Sequence, residues 1–439
     1  MRQLIFILII LSSCSKNVLE QSENINSDSS SLNNSNESSQ SSELSFPTSA
    51  LHNYSKINKN TSWYRTNNSF NQTLKLHESK YIGFEFKEDV GFSFFRKETY
   101  ERDKEECCYY WHDRGQYLYT DLNGDAVKDM WIYYTKAIWP KNQQGLHLFV
   151  DGEGEKYDLQ LGLTQVRKNV LSDFNNDGIN EIMLFSTGQD VEPSPGDSIA
   201  FFDVNNKKYN YISDEIGYFH GGATGDVDLD GKEDIITYSI NTFSNGFEIP
   251  GHPVFYKNSG SFQFDLKNEI FLNFNQSPGH AEQFDTVELF DIDNDGQLDL
   301  FLGGGKRLIV IKNENGIFDY SKGINIQEKE LTPHDIDFFD FDNDGLKDIL
   351  VLNTDAYNGY SINLYKFTFT DFSEITENFI TETTYSGTQE QHTWLKWLHI
   401  FDRDNDGDLD IVGDGLYGDI VDSTVFWRND NGKFNGFIQ

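Results

Sequence analysis

Six times along the chain a short apolar stretch gives way to a nine-residue acidic loop and then, without a break, to an apolar run. The loops are "DLNGDAVKD" (121–129), "DFNNDGINE" (173–181), "DVDLDGKED" (226–234), "DIDNDGQLD" (291–299), "DFDNDGLKD" (340–348) and "DRDNDGDLD" (402–410). Position 2 is apolar in five of them (Leu122, Phe174, Val227, Ile292, Phe341), with Arg403 in the sixth. Positions 10 and 11 are Met130-Trp131, Ile182-Met183, Ile235-Ile236, Leu300-Phe301, Ile349-Leu350 and Ile411-Val412. Apolar runs this short, bounded by turn residues, predict buried strands rather than helices. Each loop therefore joins two strands.

A second pattern follows most loops. Aromatic or aliphatic residues flank an Asn/Gly cluster in "YKNSGSFQF" (256–264), "IKNENGIFDY" (311–320) and "WRNDNGKFNGF" (427–437), and more loosely in "FFDVNNKKYNYI" (201–212) and "FVDGEGEKYDL" (149–159). That is the signature of a hairpin. The loops start 52, 53, 65, 49 and 62 residues apart. Each repeat thus supplies a strand, an acidic loop, a second strand and a hairpin of two more, and four antiparallel strands of this length make one propeller blade. Residues 58–439 have room for about seven such blades, six of them with loops. The segment 63–97 alternates apolar residues with turn-like breaks and has no acidic loop; it is expected to form a motif-less first blade within 58–108. Six blades with an N-terminal extension is the alternative. The expected fold is all-β, a seven-bladed propeller of four-stranded antiparallel blades.

Crowded carboxylates need a counter-charge, because like charges near a protein surface repel by about 4 kcal/mol per close pair. In the fourth loop Asp291, Asp293 and Asp295 fall at positions 1, 3 and 5, Gly296 at 6 and Asp299 at 9. Alternate side chains of a tight loop can face one centre, and glycine permits the sharp turn. Calcium takes about 6–8 oxygen ligands in irregular geometry; magnesium demands a strict octahedron, and zinc asks for Cys or His, which these loops lack.

The D-x-D-x-D-G-x-x-D loop opening an apolar strand, followed by the N-x-x-G-x-F hairpin, resembles the FG-GAP/VCBS repeat family, whose β-propellers include integrin α heads, bacterial lectins and polysaccharide lyases. The resemblance covers roughly residues 110–439. It implies up to six calcium ions, held at loop positions 1, 3, 5 and 9. These are Asp121, Asn123, Asp125 and Asp129; Asp173, Asn175, Asp177 and Glu181; Asp226, Asp228, Asp230 and Asp234. The later three sets are Asp291, Asp293, Asp295 and Asp299; Asp340, Asp342, Asp344 and Asp348; and Asp402, Asp404, Asp406 and Asp410. The backbone carbonyl of position 7 (Val127, Ile179, Lys232, Gln297, Leu346, Asp408) completes each set. The first loop departs from the pattern with Ala126 for glycine and Asn123 for aspartate, the second with Asn175 and Glu181. These two are expected to bind most weakly.

Composition narrows the partners. With 35 basic against 71 acidic residues, the net charge of −36 leaves no basic patch for phosphates, which excludes nucleic acid. Most of the 36 Phe and 22 Tyr are expected to fill the wedges between blades, with a minority at loops able to stack on sugars.

The start of the chain is of another kind. "MRQLIFILIILSSC" has a basic residue, then eight apolar residues from Leu4 to Leu11, too few to span a bilayer about 30 Å thick, so 1–13 read as a signal peptide. "LSSC" resembles the bacterial lipobox, which implies acylation of Cys14 and a membrane anchor. Ser15 carries no inner-membrane retention signal, so the expected destination is the outer membrane, on its periplasmic or surface face. Residues 14–57, rich in Ser and Asn, cannot bury a core and read as a flexible tether. Cys107 and Cys108 are adjacent; a pair of free thiols and a strained vicinal disulfide both remain open.

No nucleophile elbow, zincin motif or phosphate-cradling loop is present. Five histidines, His112, His220, His280, His334 and His392, lie between 6 and 11 residues ahead of an acidic loop. The family resemblance implies that they sit where the chain enters each blade, on the face opposite the calcium loops. Two functions of different classes follow: a calcium-stabilised, lipid-anchored binding module for a glycan or protein, or a polysaccharide lyase or hydrolase using these histidines. A structural subunit of an envelope complex is a third. The binding module is the expected one, since no catalytic set is recognisable.

Overall fold

The computed structural model describes residues from 82 to 438, with breaks; its longest continuous stretches are 166–187, 217–240, 251–274 and 284–341. The signal peptide, Cys14, the tether, Cys107, Cys108, His280, His392, Asp121, Asp342, Asp402, Asp404 and Asp406 lie outside the described residues, as do the side chains of His112 and Asp129.

The described chain is all-β, and its strands form sheets in chain order. Among the described residues six antiparallel sheets have four or more strands, and the acidic loop of each repeat joins two neighbouring strands of one sheet. The first sheet contains Tyr109–Arg114, Asp129–Ile138, Asn142–Val150 and Lys156–Gln160, with Leu118–Thr120 also paired to the second of these. The second runs Val166–Ser172, Glu181–Ser186, Ala200–Asp203 and Lys208–Tyr211. The third has Phe219–Gly225, Asp234–Ser239, His252–Gly260 and Gln263–Leu266. The fourth has Thr286–Phe290, Asp299–Gly304, Arg307–Ile311 and Ile324–Glu328. The fifth has Thr332–Phe339, Asp348–Asp355, Gly359–Phe367 and Phe372–Glu374, with Thr384–Ser386 added on the third strand. The sixth has Trp397–Phe401, Asp410–Asp414, Val425–Asn429 and Phe434–Ile438. Ahead of them Ile82–Phe86 and Phe94–Glu98 form a two-stranded hairpin. No described helix is long and apolar enough to cross a membrane.

One register repeats throughout. Position 9 of each loop pairs with the residue just before position 1, as in Ser172↔Glu181, Gly225↔Asp234, Phe290↔Asp299, Phe339↔Asp348 and Phe401↔Asp410. The acidic nonapeptide is therefore the closing loop of a hairpin, with its last carboxylate already inside the sheet.

Successive sheets pack through apolar layers supplied by positions 2, 10 and 11 and by the hairpin aromatics. Trp131 of the first sheet meets Phe202 of the second, ring centroids 4.9 Å apart. Phe174 and Phe201 of the second sheet meet Phe264 of the third. Phe290 of the fourth stacks on Phe338 of the fifth at 4.2 Å, and Tyr360 of the fifth meets Trp427 of the sixth edge-on. These rings fill space between neighbouring sheets. Glycine decides how close two sheets come at one point: a Cβ on Gly222 would lie 2.1 Å from the Phe185 ring.

Candidate metal centre

The loops share one internal geometry, written in backbone hydrogen bonds. The position 1 carboxylate accepts from the N–H groups of positions 5 and 6: Asp173 from Asp177 and Gly178, Asp226 from Asp230 and Gly231, Asp291 from Asp295 and Gly296, Asp340 from Asp344 and Gly345, all at 2.8–3.0 Å. The position 5 carboxylate accepts from the N–H of position 7, as Asp295 does from Gln297 at 2.8 Å. Position 9 reaches back to the N–H of position 2: Glu181 to Phe174, Asp234 to Val227 and Asp348 to Phe341. Glu181 thus does with a longer arm what aspartate does elsewhere.

Glycine at position 6 has φ between +86° and +90° in Gly178, Gly231, Gly296 and Gly345. Position 4 is left-handed as well, which the residue pattern did not announce. Gly124, Asn176, Leu229 and Asn294 have φ of 81°, 59°, 60° and 59°. Asparagine tolerates that conformation; leucine does so at a cost.

Carboxylate oxygens of Asp226, Asp228 and Asp234 lie within 4.8 Å of one another, and so do those of Asp291, Asp293 and Asp295. Asp293 Oδ1 is buried and has no hydrogen-bond partner among the described residues. The position 9 carboxyls are buried, and burial is what raises them: Glu181 to about 8, Asp234 to about 7, Asp299 to about 6. An all-oxygen donor set with an orphaned oxygen and poorly solvated carboxylates fits a hard cation such as calcium. Bound there, the ion would be held by positions 1, 3, 5 and 9, and its charge would stabilise the ionised carboxylates.

Part of the counter-charge is built into the protein. Lys312 Nζ lies 2.7 Å from Asp293 and 3.0 Å from Asp299. Lys257 bonds Asp228 and lies 2.9 Å from Asp230, and Lys366 is 2.6 Å from Asp344. Burial works against the charge on Lys257 and Lys312, yet the paired aspartates hold both ammoniums above the ordinary lysine range. These lysines share a register site: each follows the third-strand residue paired with loop position 10 (Tyr256, Ile311, Tyr365). In the second sheet the partner of Ile182 is Phe202, and the site falls to buried Asp203. After burial, the nearby charges of Asp177, Asp203 and Asp173 push Glu181 further up.

Sequence reasoning missed a set of asparagines. Asn258, Asn313 and Asn429, buried, follow the basic residue of the "KN" or "RN" pair in three hairpins. The Asn313 N–H donates to Asp299 at 3.0 Å, its Nδ2 to the carbonyls of Leu298 and Val227, and its Oδ1 accepts from Gly316. Asn258 repeats this with Asp234, Glu233, Phe174 and Gly260. Each side chain therefore ties its own loop to that of the preceding sheet. Asn429 makes the bonds within its own sheet, to Asp410, Leu409 and Gly432. The recurring Asn was visible as a turn signal; its second partner was not.

Of the five histidines, His220 and His334 are described with their side chains, and both lie in first strands of their sheets. His220 Nδ1 donates to Asp285 Oδ1 at 2.8 Å. His112 lies in the strand Tyr109–Arg114.

Residues 291–351 match the model of the FG-GAP-like repeat, a span that runs from the fourth acidic loop through the fifth. No curated protein matches the chain. Among solved structures, the chain is similar to a lectin of Agrocybe aegerita that recognises non-reducing terminal N-acetylglucosamine, at 13% identity over 64% of this chain and 82% of that one, with a TM-score of 0.34. An exo-inulinase from Aspergillus awamori follows at 10% identity over 75% and 64%, TM-score 0.36. The haemagglutinin-neuraminidase ectodomain of parainfluenza virus 5 follows at 8% over 71% and 77%, TM-score 0.32. The functional reading rests on the loops, not on these likenesses.

Proposed function

We propose that this chain is a calcium-stiffened β-propeller, tethered by an acylated Cys14 to the outer membrane, that serves as a binding module for a glycan or protein. The observation that carries it is the position 9 carboxylate. In Glu181, Asp234 and Asp299 this group is buried inside a sheet and raised by that burial, beside further carboxylates at positions 1, 3 and 5. Such a group is stable in its ionised form only with added positive charge, and a divalent ion supplies it. The loops then act as rigid hairpin ends that hold one sheet against the next, leaving the opposite strand ends for recognition. Membrane attachment, the number of ions and seven blades rather than six belong to the same proposal.

Calcium titration followed by thermal melting tests it, together with a glycan array run with calcium and with chelator. A rise in Tm on adding calcium and a calcium-dependent ligand are expected. A melt indifferent to both calcium and chelator overturns the reading. The His220–Asp285 pair favours one second reading, a lyase or hydrolase, because a carboxylate that accepts a hydrogen bond from Nδ1–H holds the imidazole in the tautomer whose Nε2 can act as a base.

A further inference from the structure

Four residues that the metal loops do not use occupy one equivalent position. Arg167, His220, Asp285 and His334 each stand six places before the first aspartate of their own loop (Asp173, Asp226, Asp291, Asp340). The register explains why three of them matter. Pairing of the first two strands slips at Arg167, between Val166 and Lys168, and at His334, between Pro333 and Asp335. It slips again across His220, between Phe219 and Gly222. A β-bulge inserts an extra residue, re-aims its side chain and is over-represented beside functional sites. Three sheets thus take the same irregularity at the same place and put Arg, His and His there.

The four are drawn together by close strand packing. A Cβ on Gly221 would lie 2.9 Å from the Asp285 carbonyl, so the strand bearing His220 runs directly against residues 285–287. Lys168, next to Arg167, donates to the Val287 carbonyl at 2.8 Å from a sheet further away. A Cβ on Gly303 would touch both Thr286 and Pro333, which sets His334 beside Asp285. Burial alone would push the Asp285 carboxyl up; the bond and charge of His220, then the charges of His334 and Arg167, bring it below the usual carboxylate range. Asp285 uses Oδ1 toward His220, and the two side chains keep 25% and 17% of their surface exposed. The site is recessed and open to solvent.

We propose that Arg167, His220, Asp285 and His334 form a recognition site for a carboxylate-bearing sugar. On a chain of net charge −36, a guanidinium and two imidazoles beside Asp285 make a cluster rich in hydrogen-bond donors. They supply donors for a carboxylate, with the planar fork of arginine suited to its two oxygens. Asp285 Oδ2 supplies what an anion site has no use for, an acceptor, and a sugar acid carries hydroxyls beside its carboxylate. A mixed donor and acceptor set therefore fits a uronate better than a bare anion. The inference rests on the binding-module reading and gives its ligand a chemical class.

Isothermal titration of the full chain in calcium with trigalacturonate, its methyl ester and a sulfated trisaccharide tests it. Trigalacturonate is expected to bind, and its neutral ester to bind far more weakly. Arg167→Met and His334→Asn are each expected to weaken binding about tenfold to a hundredfold, the loss of a charge-assisted hydrogen bond, with the calcium-dependent melt unchanged. Equal binding of acid and ester, or trigalacturonate affinity indifferent to both substitutions, overturns the site. Equal binding of the sulfated sugar overturns the carboxylate assignment. Failure of the propeller reading would show elsewhere, as a melt that calcium does not move.

Discussion

Asn313 Nδ2 donates to the Val227 carbonyl at 3.0 Å across 86 residues of chain, from the hairpin of the fourth sheet into the acidic loop of the third. The same side chain serves its own sheet through Leu298 and Gly316. One buried amide thereby fixes two loops relative to each other.

Replacing Asn313 with alanine should leave the buried carbonyls of Val227 and Leu298 and the Gly316 N–H without their partner. A loss of about 1–3 kcal/mol is expected, read as the shift in a urea unfolding midpoint. A change under about 0.5 kcal/mol, the range of ordinary surface substitutions, would show that the bond between loops is not a structural tie.

The buried loop carboxyls give stability a distinctive pH dependence without calcium. Glu181, Asp234 and Asp299 are raised in the folded state to about 8, 7 and 6, from ordinary values of 4.5, 3.8 and 3.8. A folded-state pKa above the unfolded one means that the native form holds its proton more tightly. The contribution is then fully present below about pH 4 and lost as pH rises through roughly 6 to 8. In chelator, Tm should fall between pH 5 and pH 8.5. Saturating calcium, which favours the ionised carboxylates, should flatten or reverse that slope, and parallel curves with and without calcium would contradict it.

Lys312 and Asp203 occupy the same register site with opposite charge. Removing the ammonium with Lys312→Met should widen the gap in Tm between calcium and chelator, because the fourth loop then depends on the ion alone. Asp203→Asn should narrow it by taking one negative charge from beside Glu181. On this account the second loop, for all its Asn175 and Glu181, has a greater demand for a cation than the third, fourth and fifth, whose register site holds a lysine. Calorimetric calcium titration of the two variants measures both effects.

Leu229 is the loop residue that pays for its conformation. It sits at φ 60° with 59% of its surface exposed, where the second and fourth loops place asparagine. Leu229→Asn should gain about 1 kcal/mol by removing left-handed strain without disturbing a packed contact. Urea unfolding at unchanged m-value checks it, and no gain would mean that the side chain makes a compensating contact.

The six strand–loop–strand units and the acidic positions within them were legible from residues alone. Their determinants are local: alternation of charge within nine residues, glycine at position 6, and an apolar run at positions 10 and 11. The same locality fixed the register, since position 9 closes its own hairpin. Tertiary structure decided everything that joins one repeat to another. Asn258 and Asn313 look like turn residues in sequence, and only packing shows their amides entering the preceding loop. Lys257 and Lys312 look like solvated charges until strand pairing sets them over the aspartates. Arg167 and Asp285 carry no motif; the signal for them was their shared offset from the loops, and it becomes meaningful once bulges and close-packed glycines bring four strand starts together. Local chemistry dictates a repeat because its contacts lie within one turn of chain. Contacts between residues 50 to 120 positions apart depend on how sheets stack, and no window of sequence contains that.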